Sequence, residues 1–420
     1  MSNRPRTRTV LSCGLLLVPL AVSATACGGS SSEPLSAKPY DAADQISANT
    51  PDGKQKADPD KPLEVTVKGD EARITDVTAT DASGRYISGE LSADGRRWRT
   101  TVPLAAGTRY TVRVSTEDED GAPGRKTLVV ETTDADDRLS VKFGPDSGEY
   151  GVGQPVTAEL SKPINDPKAR AVVESALKVD SAPRVEGSWH WVDGKSLHFR
   201  PKDYWPAHAT IAVHSNLDGL KITKKLYGGP AKPVRLSTGD RIEAITDAGS
   251  HQMTVLRNGE EVNTIPVTTG KPGYDTRNGV KVILGKESFV RMTSASIGAS
   301  DFYDLPVYWA TRVTWSGEYV HAAPWSVGSQ GAANVSHGCT GMSTGNAEWF
   351  FNMVRVGDIV KVVNSDGENM TAFDNGFGDW NMPWKEWRDG SALKNKASTT
   401  TGAAEQQRGP ADAARLRPQF

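Results

Sequence analysis

"EYVHAAPWSVGSQGAANVSHGC", residues 318–339, brings two histidines and a cysteine into one short stretch. A thiol near neutral pH is mostly protonated, so a nucleophilic cysteine needs a nearby base or a depressed pKa, and imidazole supplies either. His337 lies two positions before Cys339, and in extended backbone both side chains leave the chain on the same side. His321 lies upstream, where a strand pairing or a return loop would set it against the sulfur. An imidazole that takes the thiol proton must itself be oriented, and a backbone carbonyl does this as well as an Asp. Gly338 lets the backbone come close to a substrate. The backbone N–H groups of His337, Gly338 and Cys339 are therefore candidates for an oxyanion site, where each donor is worth about 3 to 4 kcal/mol. These parts describe acyl transfer through a thioester. Metal binding by His321, His337 and Cys339 is the competing use, but it lacks a fourth ligand and the usual paired spacing.

The rest of the chain sharpens the question of that sulfur. Arg4, Arg6 and Arg8 precede the apolar run "VLSCGLLLVPLAV", and small residues follow, which is the layout of a secretory signal over residues 1–26. Ala24-Thr25-Ala26-Cys27 resembles a lipoprotein processing box, with Ala24 where Leu is usual, so Cys27 is expected to carry lipid at the extracellular face of the cell membrane. An ordinary secreted protein is the plainer alternative. Cys13 leaves with the signal, and Cys339 then remains as a single free thiol in an oxidising compartment. A free cysteine is more often an inert core residue. Its polar neighbours Ser336 and His337 argue against that here. The chain has 49 basic and 51 acidic residues and 37% hydrophobic residues, a globular composition without the positive charge that nucleic acid requires.

Residues 27–60 are rich in Ser, Pro, Ala, Asp and Lys and read as a flexible linker. Over 61–138 short alternating runs such as "LEVTVKG" and "TRYTVRVSTE" recur between Gly, Asp and Ser turns, predicting an immunoglobulin-like β-sandwich. A second sandwich is predicted over 139–238, with "QPVTAELSKPI", "VVESALKV" and "GSWHWVDGKSLHFRP" among its strands. His190, His198, His208 and His214 lie there without ligand spacing and read as structural or exposed. Residues 239–365 form a third β-rich block, with a tight turn at Asn258-Gly259 and a short helix over 344–354 capped by Ser343 or Thr344. "TTGKPGYDT" fails as a phosphate loop because the first Gly is missing and Pro272 follows the Lys. In the Trp-rich segment 366–389, Trp380, Trp384 and Trp387 fall at i, i+4 and i+7 and would share one face of a short helix. That stripe reads as packing of the tail onto the preceding domain, with a saccharide platform as the sharper alternative. Residues 390–420 read as a disordered tail.

The His321 stretch, its spacer and the Ser336-His337-Gly338-Cys339 run closely resemble the YkuD-type catalytic domain of the L,D-transpeptidases, cysteine-dependent enzymes that cross-link peptidoglycan. "VTTGKPGYDTRNG", residues 267–279, is similar to that family's early catalytic segment. The whole layout resembles the actinobacterial lipoprotein type: two immunoglobulin-like domains, a catalytic domain and a Trp-rich extension. The resemblance implies a mainly β fold, with Cys339 as nucleophile, His321 as general base and His337 as a further active-site imidazole. Ala322 stands where the family often has Ser, and the resemblance makes its backbone carbonyl the group that orients His321. Ser336 matches the family's Ser or Thr, and Tyr303 and Trp325 match aromatic positions lining the substrate and lid region. Gly341 departs from the family's Asn, which could loosen the site, alter substrate choice or weaken activity.

What the resemblance implies is an acyltransferase needing no cofactor, with peptidoglycan stem peptides as donor and acceptor and 3→3 cross-links as product. Water as acceptor would make it an L,D-carboxypeptidase. Carbapenems are implied as covalent inhibitors of the same sulfur, and most penicillins as poor ones. A secreted cysteine peptidase or thiol oxidoreductase is the second enzyme class, the latter lacking a second Cys for redox cycling. A wall-associated lipoprotein with a weakened catalytic domain is the non-enzymatic alternative, with Gly341 as its argument.

Overall fold

The computed structural model describes residues 38–50, 56–70, 72–294, 302–393 and 398–399. The signal at 1–26, Cys27 and all but the first few residues of the 390–420 tail lie outside the described residues, Ser398 and Thr399 excepted. The fold is mainly β.

In the first sandwich, alternation along Arg97–Thr100 and Arg109–Asp118 buries every second side chain, as a strand with one wet face requires. Two four-stranded sheets enclose Leu63, Trp98, Tyr110, Val112 and Val114. The domain starts earlier than the linker expectation allows. Tyr40–Asp41 pairs in parallel with Gly124 and Arg125, Ile46–Ala48 pairs with Val65–Val67, and Ala42, Ile46 and Ala57 are buried. A segment poor in apolar residues can still order when a ready sheet edge supplies its hydrogen bonds, which corrects the linker boundary for the described part of 38–60.

The second sandwich packs a five-stranded sheet on a four-stranded one around Trp189, Phe199 and Trp205. "VVESA" is helical here, within Pro167–Ala176, and the strand starts only at Leu177. Asp166 caps the helix by accepting from the Ala169 N–H, Pro167 fills its first turn, and Ala169, Val173 and Ala176 are buried at helical spacing. His190 rests on the Trp387 ring, His198 bonds Asp379, and His208 and His214 face Asp240 and Asp180.

The third domain holds two sheets. One orders Glu260–Pro266, Gln252–Arg257, Ile242–Asp247, Ile359–Val363 and Gly279–Val282; the other orders Gly285–Thr293, Asp304–Arg312, Tyr319–Ala322 and Thr340–Met342. The Asn258-Gly259 turn has both residues at positive φ, 53° and 90°, as a twisted two-residue hairpin needs. Ser343 accepts from the Asn346 N–H and starts the helix Thr344–Met353, whose Ala347 and Phe350 enter the core between the sheets.

The three tryptophans do not share one helix. Trp380 sits in the 3₁₀ turn Asp379–Asn381, and Trp384 and Trp387 lie in Trp384–Asp389 beyond Pro383, which breaks the helix between them. They pack chiefly on the second sandwich rather than on the catalytic block: the Trp380 and Trp387 indole N–H groups donate to the carbonyls of Gly153 and Ser188. Trp387 is fully buried, which excludes it from a saccharide platform. Residues 390–393, placed in the disordered tail from the sequence, pack as well: Ser391 and the Ala392 N–H donate to buried Glu174.

Candidate active site

The strand Tyr319–Ala322 pairs in parallel with Thr340–Met342, setting His321 beside Gly341. Cys339 is two residues before Gly341, so its side chain leaves the chain on the face that His321 uses. Both line one cavity of about 270 Å³, together with Thr268, Met292, Tyr303 and Trp325.

Cys339 ends a tight turn. A φ of +111° puts Gly338 in the left-handed region, where a side chain is strained; the nearest heavy atom to an added Cβ is 3.6 Å away, so backbone conformation rather than space demands the glycine. The Ser336 hydroxyl donates to the Cys339 carbonyl at 2.6 Å and accepts from the Gly338 N–H at 3.1 Å. This corrects one expectation: Gly338's N–H is spent inside the turn rather than offered to an oxyanion. Ser336 shapes the turn and also lines the cavity that holds Cys339 and His321. Thr276, which sequence reasoning did not single out, donates to the Gly338 carbonyl at 2.9 Å and accepts from the Gly270 N–H.

The Cys339 thiol is directed to the Gly317 carbonyl at 3.6 Å. Val307, Ala310 and Tyr319 pack beside it, and burial pushes the thiol up to about 12. A thiol so placed is protonated at neutral pH and would need a base to act as a nucleophile. His321 Nδ1 lies 2.7 Å from the Ala322 carbonyl, and since a carbonyl only accepts, Nδ1 carries the proton and Nε2 keeps its lone pair. Burial holds this imidazole below the ordinary histidine value, so it is neutral at pH 7 and able to accept a proton.

His337 packs against Tyr274 and Tyr303, with ring centroids 4.7 and 4.9 Å away. It also lines a second, polar cavity of about 400 Å³ on the other side of the turn, with Tyr274, Asp275, Arg277, Glu318, Asp366 and Glu368. Trp325 stands half exposed with its ring 6.0 Å from that of His321. A larger cavity of about 540 Å³ lies on the second sandwich, bounded by Asp180, Ile211 and Arg235, with neither Cys nor His in its lining.

Gly341 is locked rather than loose. Its N–H and C=O both bond Thr268, at 2.8 and 2.9 Å, and an added Cβ would meet Ala323 Cβ at 2.9 Å and Thr268 Cγ2 at 3.1 Å. The missing amide therefore leaves no slack in this strand, which removes the loosening argument drawn from Gly341.

Residues 241–362 match the L,D-transpeptidase catalytic domain and residues 54–221 a bacterial Ig domain. L,D-transpeptidase 2 of Mycobacterium tuberculosis (strain CDC 1551 / Oshkosh) is 33% identical over 404 residues, 93% of this chain and 97% of that protein. L,D-transpeptidase 1 of Mycobacterium tuberculosis (strain ATCC 25618 / H37Rv) is 39% identical over 217 residues, 51% of this chain and 80% of that one. The solved structure of LD transpeptidase LdtMt1 in complex with imipenem is 37% identical, covers 53% of this chain and 97% of its own, and superposes with a TM-score of 0.46. With one relative matched along almost its entire length and the catalytic and Ig domains each matched, the chain belongs to the L,D-transpeptidases, a family of acyltransferase-type enzymes.

Proposed function

We propose that this chain forms 3→3 peptidoglycan cross-links through a thioester on Cys339. The observation that carries the reading is that the Cys339 thiol and a neutral His321 imidazole, whose Nδ1–H is pinned to the Ala322 carbonyl, line one cavity. That is the resting state a base-assisted nucleophile needs.

Cys339 Sγ attacks the carbonyl joining the third residue of a tetrapeptide stem, a diamino acid, to the terminal D-Ala, while His321 Nε2 takes the thiol proton. The backbone N–H groups of His337 and Cys339 are the remaining candidates to steady the oxyanion. Collapse breaks the C–N bond, the imidazolium returns its proton to the leaving amine, and D-Ala departs. An amine of a neighbouring stem then attacks the thioester, His321 takes that amine's proton, and the sulfur leaves and is reprotonated. Two cavities flank the turn that bears Cys339, as a transfer between two stems requires; a hydrolase needs only water on the second side. Tyr303 and Trp325 line the first cavity and offer aromatic faces to a stem peptide.

Carbapenems are activated acyl donors and on this reading acylate the same sulfur. A lipid on Cys27 would hold the enzyme at the extracellular face of the membrane, with the two sandwiches spacing the catalytic domain toward the wall.

Intact-protein mass spectrometry of the full chain, wild type beside Cys339→Ala, tests this after incubation with imipenem. An adduct on wild type alone is expected, followed by D-Ala release from a tetrapeptide stem that yields a dimer when acceptor amine is present. A folded wild type that takes no adduct and releases no D-Ala would overturn the proposal. D-Ala release without any dimer would convert it to a carboxypeptidase.

A further inference from the structure

A lysine ammonium is buried behind the Cys339 turn without any role in the scheme above. Lys281, on the strand Gly279–Val282, is 1% exposed and ion-paired to Glu318 Oε2. The other oxygen of Glu318 is taken as well: Oε1 accepts from the backbone N–H of Arg277 at 3.2 Å and from its guanidinium at 3.0 Å. One carboxylate thus faces two basic side chains; burial lowers the Lys281 pKa, and the contact with Glu318 works against that to keep the ammonium charged.

Its position is what matters. The Glu318 Cγ lies 3.9 Å from where a side chain on Gly338 would begin, so the cluster abuts the turn that ends in Cys339. Glu318 also stands between two residues that touch the thiol: Gly317, whose carbonyl receives it, and Tyr319, which packs beside it. A hydrophobic pair of similar volume is often as stable as a buried ion pair, so stability alone is a weak reason for Lys281 to be there.

We propose that Lys281 is a positioning residue for the Cys339 nucleophile: through Glu318 it holds the Gly317–Tyr319 segment against the sulfur, and its ammonium favours the thiolate formed during attack. The proposal rests on Cys339 being the nucleophile. The charged and titratable groups around that sulfur are Lys281, Arg277 and Glu318 behind the turn, His321 and Tyr319 on the neighbouring strand, and His337, Tyr274 and Tyr303 in front. Of the cations in this set, Lys281 is the fully buried one, and its attraction to the sulfur lowers the thiol's proton affinity against the opposing effects of burial and Glu318. Arg277 is partly exposed and more screened.

The test is the pH dependence of iodoacetamide alkylation at Cys339 in the full chain, followed by peptide mass. This reads the thiol directly and needs no transpeptidase turnover, so its failure is separate from failure of the proposed function. Lys281→Gln removes the cation, leaves Glu318 its Arg277 partner, and is expected to move the alkylation profile to higher pH. A profile displaced by one pH unit slows alkylation at neutral pH about tenfold. Lys281→Met/Glu318→Leu keeps apolar volume and removes the carboxylate that opposes the thiolate together with the cation that favours it, so its profile is expected at or below the parent's, with a matching melting temperature. A folded Lys281→Gln with the parental profile, or a folded double variant displaced to higher pH, would overturn the proposal.

Discussion

The Ala322 carbonyl does more for His321 than orient it. By fixing the tautomer it leaves Nε2 as the sole basic nitrogen, and burial keeps the ring neutral below the ordinary histidine range. His321→Gln retains a polar side chain but loses the basic lone pair. Steady-state D-Ala release should drop by about 10² to 10⁴-fold while the fold is retained, the usual worth of a positioned base. Wild-type acylation should hold its plateau down through pH 6.5 and decline only below it, because the group that must stay unprotonated titrates lower than a free imidazole. A decline centred above pH 6.5 would point to a different base. Gly341 invites the opposite experiment, introducing the Asn that the family resemblance leads one to expect there. Ala323 and Thr268 already occupy that space, so Gly341→Asn should lower stability by about 1 to 3 kcal/mol, as overpacking does, and slow acylation through the displaced strand. Faster acylation at unchanged melting temperature would contradict this packing argument.

At the scale of elements, the loop leading into Ile359–Val363 is the point where the catalytic domain meets the second sandwich. Gly151 and Gly153 donate to the carbonyls of Val356 and Gly357, and Asp358 is buried there with its Oδ2 accepting from the Arg355 N–H. Burial pushes that carboxyl up to about 7. Between the ordinary carboxylate range and that value the folded chain holds a proton the unfolded chain has released. The contribution to stability is therefore full at low pH, is lost as pH rises through about 7, and then levels off. Urea midpoints across that range should fall for wild type and flatten for Asp358→Asn; parallel curves would remove Asp358 as the cause. How legible such elements are in the sequence follows from the range of the forces that form them. Alternation in Arg109–Asp118, the Asn258-Gly259 turn and the Ser343 cap act over a few residues, and each reads directly. Asp166-Pro167 is an equally local helix start, but the two valines that follow resemble a strand and mask it. The Lys281–Glu318 pair and the seat of Tyr40–Asp41 on a distant edge depend on contacts made only after folding, whereas the capture of Gly338's N–H by Ser336 is local but carries no pattern that separates it from an N–H left open to substrate. In the site, the Ser336–Cys339 run and His321 are visible because chemistry fixes their residue types, whereas Thr276 and Lys281 carry no such signature.

Across the whole molecule, the C-terminal segment ties the second sandwich to the strand that bears Lys281. Arg200 is buried under the rings of Trp380, Trp384 and Trp387, at 4.9, 5.3 and 4.5 Å, and donates to the Met382 carbonyl at 2.7 Å. Burial lowers its pKa to about 10, so it remains a cation at neutral pH and each indole face attracts it. One residue beyond Trp380, Asn381 exchanges two hydrogen bonds with Val280, at 2.7 and 2.8 Å, beside Lys281. The strap thus reaches from the sandwich core to the back of the active site through side chains rather than along the backbone. Trp387→Ala removes the most deeply buried of the three rings and should cost about 3 to 5 kcal/mol, the usual range for a large buried aromatic. If the strap is coupled to the site, the loss should not stay local: amide hydrogen exchange should accelerate in Gly279–Val282 as well as in Glu186–Trp191, and acylation of Cys339 should slow. Faster exchange confined to Glu186–Trp191, with acylation unchanged, would mean that the extension stabilises the sandwich alone and that the Asn381–Val280 link transmits nothing to the nucleophile.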